Sequence, residues 1–454
     1  MFIGREEELK QLDQFFSRNG LAALVYGKRR IGKTTLIKRA LEDQKKRAVY
    51  YECLRGTVKE NIEAFTDILR REKILSFDAV FESFPSIFAY LNTLPGEFII
   101  VIDEYPYLKR MTAGESVDSA FQIIIDNYLS NIDLVLSGSH IGMMKDILEE
   151  GNALYGRFSC VINLRELDYR TASAFYPSKT AYEKIGFYSV FGGSPFVLSQ
   201  LQPDKDLKEN IIGTILNEHD PVNLYASYLL LSDYSNSANV DRIFSALGNG
   251  KKRYSELDAK LGGGKSGNLA KQLGSLLSME IIAKTEPINR LGDPKKSKYE
   301  INDNLMCFYY SYLHKNKSAL QMLGPGQFYE EYVAPTLKDF VARRFEEICR
   351  DFFAHLARNG RLAGLKNIGS YYYDDPLAKT NGEFDVALDY GDHYAVFEAK
   401  YYQKPMTIDE IHKEIGQIRK IKDLNVTEIG FIATNGFQEK EDGYIYYSAD
   451  DLYR

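Results

Sequence analysis

The sequence predicts an α/β protein whose first part is a parallel sheet, and three observations predict that sheet. The apolar run Leu21–Tyr26 leads straight into Gly27-Lys28-Arg29-Arg30-Ile31-Gly32-Lys33-Thr34-Thr35 and then into a helical pattern through Leu41. A second run, Phe98–Ile102, ends in Asp103-Glu104. A third, Ile132–Leu136, ends in the small polar residues Ser137-Gly138-Ser139. Runs this apolar, interrupted only by Asp133 in the third, suit strands covered on both faces, as parallel strands are.

The first element carries the chemistry. Its spacing is G-x-x-x-x-G-K-T between a strand and a helix, the context that makes a phosphate-binding loop. Glycines let successive backbone N–H groups point at one spot, and the helix N-terminus adds partial positive charge. Lys33 is expected on the β- and γ-phosphates and Thr34 on Mg²⁺, so the chain is expected to bind ATP. The second run places Asp103 at a strand's C-terminal end, where ligands sit in such sheets. Asp103 is expected in the Mg²⁺ shell, with Glu104 polarising the attacking water. After the third run, Ser137 or Ser139 could sense the γ-phosphate. Next comes Leu154-Tyr155-Gly156-Arg157 before a short strand pattern, Ser159–Leu164. Arg157 is a candidate for stabilising charge on the transferring phosphoryl group, beside the reading that it is a surface arginine.

Composition sets limits. A chain of 454 residues predicts about two to four domains. Its four cysteines, Cys53, Cys160, Cys307 and Cys349, are scattered without metal spacing and read as reduced thiols of a cytoplasmic protein. The six histidines share no metal spacing either. No apolar run is long enough for a membrane span, and none is expected. The net charge is −6, yet residues 241–300 carry twelve Lys and Arg against seven Asp and Glu. A basic module inside an acidic chain points to DNA as a partner, and equally suits a solvated basic face.

Gly4-Arg5-Glu6, the phosphate loop, Asp103-Glu104, Ser137-Gly138-Ser139, Gly156-Arg157 and Gly192-Gly193-Ser194-Pro195 occur in the order of one family. The chain resembles the archaeal-type ATPases related to AAA+ and STAND proteins. The resemblance implies that Gly4 and Arg5 lie near the adenine and that residues 192–195 open a helical lid. It implies an ATPase domain over 1–235 that acts as a switch as often as a motor.

The middle, 236–318, reads as two helices, a glycine turn at 262–267, a third helix with Leu269, Leu273, Leu276 and Leu277 at helical spacing, and a hairpin. The second helix, from Arg253, is expected to start on a serine cap. The hairpin would pair Ile281–Glu286 with Ser297–Ile301, with Lys295, Lys296 and Lys298 nearby. This resembles a winged helix, a module that reads DNA or packs on protein. Gly264-Lys265-Ser266 copies a phosphate-loop ending, but Ala259 stands where the first glycine is required.

The last part, 325–454, opens with an amphipathic helix carrying Glu346. Gly382-Glu383-Phe384-Asp385 and Phe397-Glu398-Ala399-Lys400 follow on two strand patterns. Strand alternation puts Glu398 and Lys400 on one face. Asp385 and Glu398 are hard oxygen ligands suited to Mg²⁺ or Mn²⁺, and Lys400 could orient a water or counter transition-state charge. The next helix offers Gln417 and Lys420. Glu346, Asp385, Glu398-x-Lys400 and Gln417 resemble the PD-(D/E)xK restriction-endonuclease-like fold, although Glu383-Phe384 stands where a proline would precede Asp385. The expected architecture is a P-loop NTPase sheet with a helical lid, a winged-helix module and a nuclease-like α/β domain. The expected function is an ATP-driven switch coupled to a metal-dependent nuclease; the competing reading is a regulatory ATPase whose last domain does not cut. A homo-oligomer or a partner protein fits either.

Overall fold

The computed structural model of the chain describes residues 2–75, 79–110, 115–233, 240–262, 267–375, 380–421 and 425–454. They form two compact units, Met1–Glu166 and Leu167–Arg454.

In the first unit the apolar runs form strands β1 (Ala22–Tyr26), β2 (Arg47–Glu52), β3 (Phe98–Asp103), β4 (Ile132–Gly138) and β5 (Cys160–Asn163). All pair in parallel, in the order β2-β3-β4-β1-β5. Every residue of β1, β3 and β4 is buried, including Asp133 of β4, whose carboxylate pairs with Lys46 at 2.6 Å. Helices α1 (Glu6–Phe16) and α2 (Lys33–Leu41) cover one face with Leu12, Phe15, Phe16, Leu36 and Ile37. The other face takes Phe65, Phe84, Phe88 and Phe121 from helices Val58–Arg71, Phe84–Leu91 and Glu115–Asn127. Each such side chain contributes about 1.5–3 kcal/mol by leaving water. Because the strands are parallel, their C-terminal ends share one edge, and Gly27 and Asp103 arrive there together.

The second unit holds the remaining patterns. Helices α3 (Val240–Leu247), α4 (Tyr254–Leu261) and α5 (Gly267–Ser278) precede an antiparallel hairpin of β6 (Ile282–Thr285) and β7 (Lys298–Ile301). On α5, Leu269, Leu273 and Leu276 are buried while Lys271 faces solvent. The serine cap expected for α4 is absent. Arg253 is the N-cap, and its backbone N–H donates to the Glu256 carboxylate at 2.7 Å. Residues 263–266, with the mimic of a phosphate-loop ending, lie outside the described residues.

The long helix α6 (Ala334–Arg358) precedes β8 (Asn367–Asp375), β9 (Thr380–Asp389) and β10 (Tyr394–Lys400), then α7 (Ile408–Arg419), β11 (Val426–Ala433) and β12 (Ile445–Ser448). The strand order is β12-β11-β10-β9-β8, antiparallel across β8-β9-β10 and parallel across β10-β11-β12. Phe345, Ile348, Phe352 and Phe353 of α6 pack with Val386, Leu388, Ala395 and Phe397 in one core. A capping box at Thr407 and Glu410 starts α7 and fixes how the chain leaves β10.

Candidate functional site

The phosphate loop is shaped by two glycine requirements of different kinds. At Gly27 the constraint is space: a Cβ would stand 2.2 Å from the Leu164 carbonyl oxygen. The chain after β5 lies that close because Leu164 N–H donates to the Tyr26 carbonyl at 2.7 Å. At Gly32 the constraint is conformation: φ is +98°, while a Cβ there would meet nothing within 4 Å. Lys33 is buried and curls back over the loop, donating to the carbonyls of Gly27 at 3.0 Å and Lys28 at 2.9 Å. Arg30 adopts φ +60°, while Thr34 and Thr35 lie exposed at the start of α2.

The acidic strand meets this loop. Thr34 Oγ1 donates to Asp103 Oδ2 at 3.0 Å, and the Tyr50 hydroxyl donates to the same oxygen. The other oxygen, Oδ1, accepts the Glu104 N–H at 2.9 Å. Glu104 turns into the left-handed region at φ +52°, and its Oε2 accepts from Ser139 Oγ at 2.8 Å. The serine that meets the acidic pair is thus Ser139, while Ser137 is fully buried in β4. Burial, then the Asp103 charge, raises the Tyr50 phenol. Tyr50 was illegible in sequence, because its partner lies one strand away. Gly4 and Arg5 are both left-handed, at φ +70° and +77°. Arg5 donates to the Arg165 carbonyl at 2.6 Å and the Ile31 carbonyl at 3.4 Å, so this box is anchored on the phosphate loop. Lys28 pairs with Glu166 at 3.2 Å, and Arg29 donates to the Tyr107 hydroxyl at 3.3 Å.

Arg157 requires a correction. It precedes β5, and neighbouring Ser159 donates to the carbonyl of Ala22, the first residue of β1. That is the sheet edge opposite Gly27, so Arg157 does not reach its own chain's phosphate loop. Both oxygens of Asp126 accept from it at 2.9 Å.

In the second unit Asp385, Glu398 and Lys400 converge. Asp385 Oδ2 accepts the Ala399 N–H at 3.0 Å. Lys400 Nζ lies 3.2 Å from Glu398 and 3.2 Å from Glu414 of α7. Arg350 of α6 donates to the Asp385 carbonyl at 2.7 Å. Burial, then Asp385, pushes the Glu346 carboxyl up to about 7. The same two causes raise Glu398 well above the carboxylate range, and burial raises Asp385. Burial would lower Lys400, but Glu398, Asp385 and Glu414 together raise it. Gln417 donates to the Tyr373 hydroxyl. Lys420, expected beside it, is exposed at the C-cap of α7. Glu414 went unrecognised, although its place three residues before Gln417 puts both on one helical face. Among the described residues no group of three or more His, Cys, Asp or Glu side chains is arranged to hold a metal ion.

A family model described as an ATPase domain predominantly from Archaea matches residues 2–201. Another, described as archaeal and bacterial proteins of unknown function, matches residues 309–414. An uncharacterized protein of Methanocaldococcus jannaschii is 27% identical over 458 residues, covering 98% of each chain. An uncharacterized ATP-binding protein of the same organism is 48% identical over 46 residues, 10% of this chain and 78% of that one. Among solved structures, the Walker-type ATPase paby2304 of Pyrococcus abyssi superposes with a TM-score of 0.51 at 20% identity, covering 68% of this chain and 96% of the other. With a phosphate loop, an acidic strand and a five-stranded parallel sheet in the matched region, residues 2–201 of this chain are an archaeal-type P-loop ATPase domain.

Proposed function

We propose that the chain is an ATP-hydrolysing switch whose output is metal-dependent phosphodiester hydrolysis on DNA by its C-terminal domain. In the ATPase site, Lys33 and the loop amides hold the phosphates, and Thr34 and Asp103 hold the Mg²⁺ that neutralises them. Glu104, aimed by its left-handed backbone and by Ser139, takes the proton of the attacking water. Gly4 and Arg5 border the base.

The observation that carries the second activity is the meeting of Asp385, Glu398 and Lys400. It occurs within an order of helix, three antiparallel strands, helix and parallel strand, which supports the restriction-endonuclease-like reading. The donor chemistry fits a hard cation, since the Asp385 charge raises the proton affinity of both Glu346 and Glu398. Mg²⁺ keeps several waters and needs only one or two protein carboxylates, so no three-residue cage is required. Asp385 and Glu398 would hold it, with Glu346 beside them, and the ion would polarise the scissile phosphoryl group. Lys400, kept protonated by its acidic neighbours, counters charge that builds on the phosphate.

Helices α3 to α5 and the β6–β7 hairpin support a winged-helix module, and exposed Lys271 on α5 gives it a basic outer face. A second reading, a regulatory domain that does not cut, is favoured by Lys400 being held between Glu398 and Glu414. Cleavage assays with Mg²⁺ or Mn²⁺ and ATP separate the two. The parent should cut DNA, and Asp385→Ala and Lys400→Ala should each lose at least about 100-fold. No cutting of duplex, single-stranded or RNA substrates would sink the nuclease reading and leave the ATPase standing.

A further inference from the structure

Because Arg157 sits at the wrong edge of the sheet, the ATPase site needs another cation for the charge that develops on the γ-phosphate. We infer that Arg55 supplies it from the same chain, with Tyr107 as its positioning residue.

The strand order gives a direction. The phosphate loop follows β1, the acidic pair stands two strands away on β3, and β2 lies beyond it. A triphosphate held by Gly27–Thr34 and ending at Asp103 and Glu104 therefore points its terminal phosphate toward the end of β2. The chain stays beside β3 as it leaves β2, because Cys53 N–H donates to the Asp103 carbonyl at 2.9 Å. Arg55 comes two residues later.

Tyr107 then fixes where the guanidinium goes. Its backbone N–H donates to the Glu104 carbonyl at 2.9 Å, so its ring is rooted on the acidic turn. Its hydroxyl accepts from Arg55 Nη2 at 2.9 Å and from Arg29 Nη2 at 3.3 Å. The Arg55 guanidinium also lies over the Tyr107 ring, 4.9 Å from its centroid. Arg29 belongs to the phosphate loop itself. Two guanidiniums, one from the loop and one from beyond the acidic strand, thus share a single neutral oxygen at the mouth of the site. Guanidinium donors match phosphate oxygens in pairs, so two of them side by side suit an anion in front of them.

In the reaction, water attacks the γ-phosphorus while the bond to the β–γ bridging oxygen breaks. The water proton passes to Glu104, and ADP and phosphate leave. Arg55 gains and loses no proton; it hydrogen-bonds the equatorial oxygens as charge spreads over them, a role worth several orders of magnitude in related chemistry. Tyr107 holds it there.

The test uses the full chain and its Arg55→Ala, Arg55→Lys and Tyr107→Phe variants. Affinity is measured for ADP and for a non-hydrolysable ATP analogue, and kcat for ATP. Arg55→Ala should lower kcat about 100-fold and weaken the analogue about 10-fold while leaving ADP affinity unchanged, since ADP lacks the γ-phosphate. Arg55→Lys should restore part of both. Tyr107→Phe should move the analogue-to-ADP ratio the same way by a smaller factor, a readout that a purely structural tyrosine would not change. The inference falls if Arg55→Ala keeps the parent's ratio and kcat. It falls equally if Arg55→Ala loses ADP and analogue binding together, because that marks a structural role.

Discussion

Glu300 and Glu347 show how single residues set the chemistry of the second unit. Glu300 on β7 lies 3.4 Å from Arg344 and 3.2 Å from Lys251, and both cations also reach Glu347 of α6. Burial, then the charge of Glu347, pushes Glu300 up to about 7. Burial would raise Glu347 too, but Arg344 and Lys251 outweigh it and hold that carboxyl down to about 2. A raised carboxyl stabilises the fold while it is protonated. Its contribution is complete below the ordinary carboxylate range and is lost as pH rises through about 7. The Glu347 contribution is already complete above pH 5, so it is constant in that window. Between pH 5 and pH 8 the Glu300 group should cost the fold on the order of 2 kcal/mol. Urea unfolding of the parent and of Glu300→Gln at those two pH values checks this. The variant should show a flatter dependence, and identical slopes would refute the assignment.

At the level of elements, the segment joining β6 to β7 is docked on the edge strand β8. Ile288 N–H donates to the Ser370 carbonyl at 2.8 Å. The Asn289 side chain donates to the Tyr372 carbonyl at 2.8 Å and accepts its N–H at 3.0 Å. A Cβ on Gly369 would stand 2.5 Å from Ile288, so glycine permits the close approach. Lys298 pairs with both oxygens of Glu383 at 2.9 Å, and Lys296 lies 3.5 Å from the centroid of the Tyr372 ring. Two of the basic residues that sequence placed near a hairpin thus engage the sheet that bears Asp385. The docking also covers an otherwise open sheet edge, the usual liability of such strands. Asn289→Ala should strand two backbone groups and cost about 1–3 kcal/mol. Lys298→Ala should cost less than about 1 kcal/mol, because that pair is partly solvated. Hydrogen exchange at the Tyr372 amide should quicken in Asn289→Ala. Unchanged protection there would show that the contact carries no stability.

For the molecule as a whole, two units imply two unfolding transitions, and a nucleotide should stabilise only the one that binds it. Saturating ATP analogue at about 100 times Kd should add about 2.7 kcal/mol to the first transition. Lys33→Ala should lose that gain and Lys400→Ala should keep it; a gain that survives in Lys33→Ala would remove the nucleotide site from this loop. Local order was legible in the sequence because its causes are local. Apolar runs dictate buried strands, Gly27-x-x-x-x-Gly32-Lys33 dictates a phosphate loop, and Glu398-x-Lys400 lies on one face through strand alternation. What touches what across strands was not legible. Tyr50 on Asp103, Ser139 rather than Ser137 on Glu104, Arg55 on Tyr107 and Glu414 on Lys400 each depend on neighbours separated in sequence. Arg157 is the sharpest case: motif order brought it near the nucleotide, while strand direction put it at the other edge. The sequence by itself determined the parts and their chemistry, since propensity, periodicity and turn requirements act over a few residues. Only the tertiary structure decided which side chains share a site, because that depends on strand order and direction.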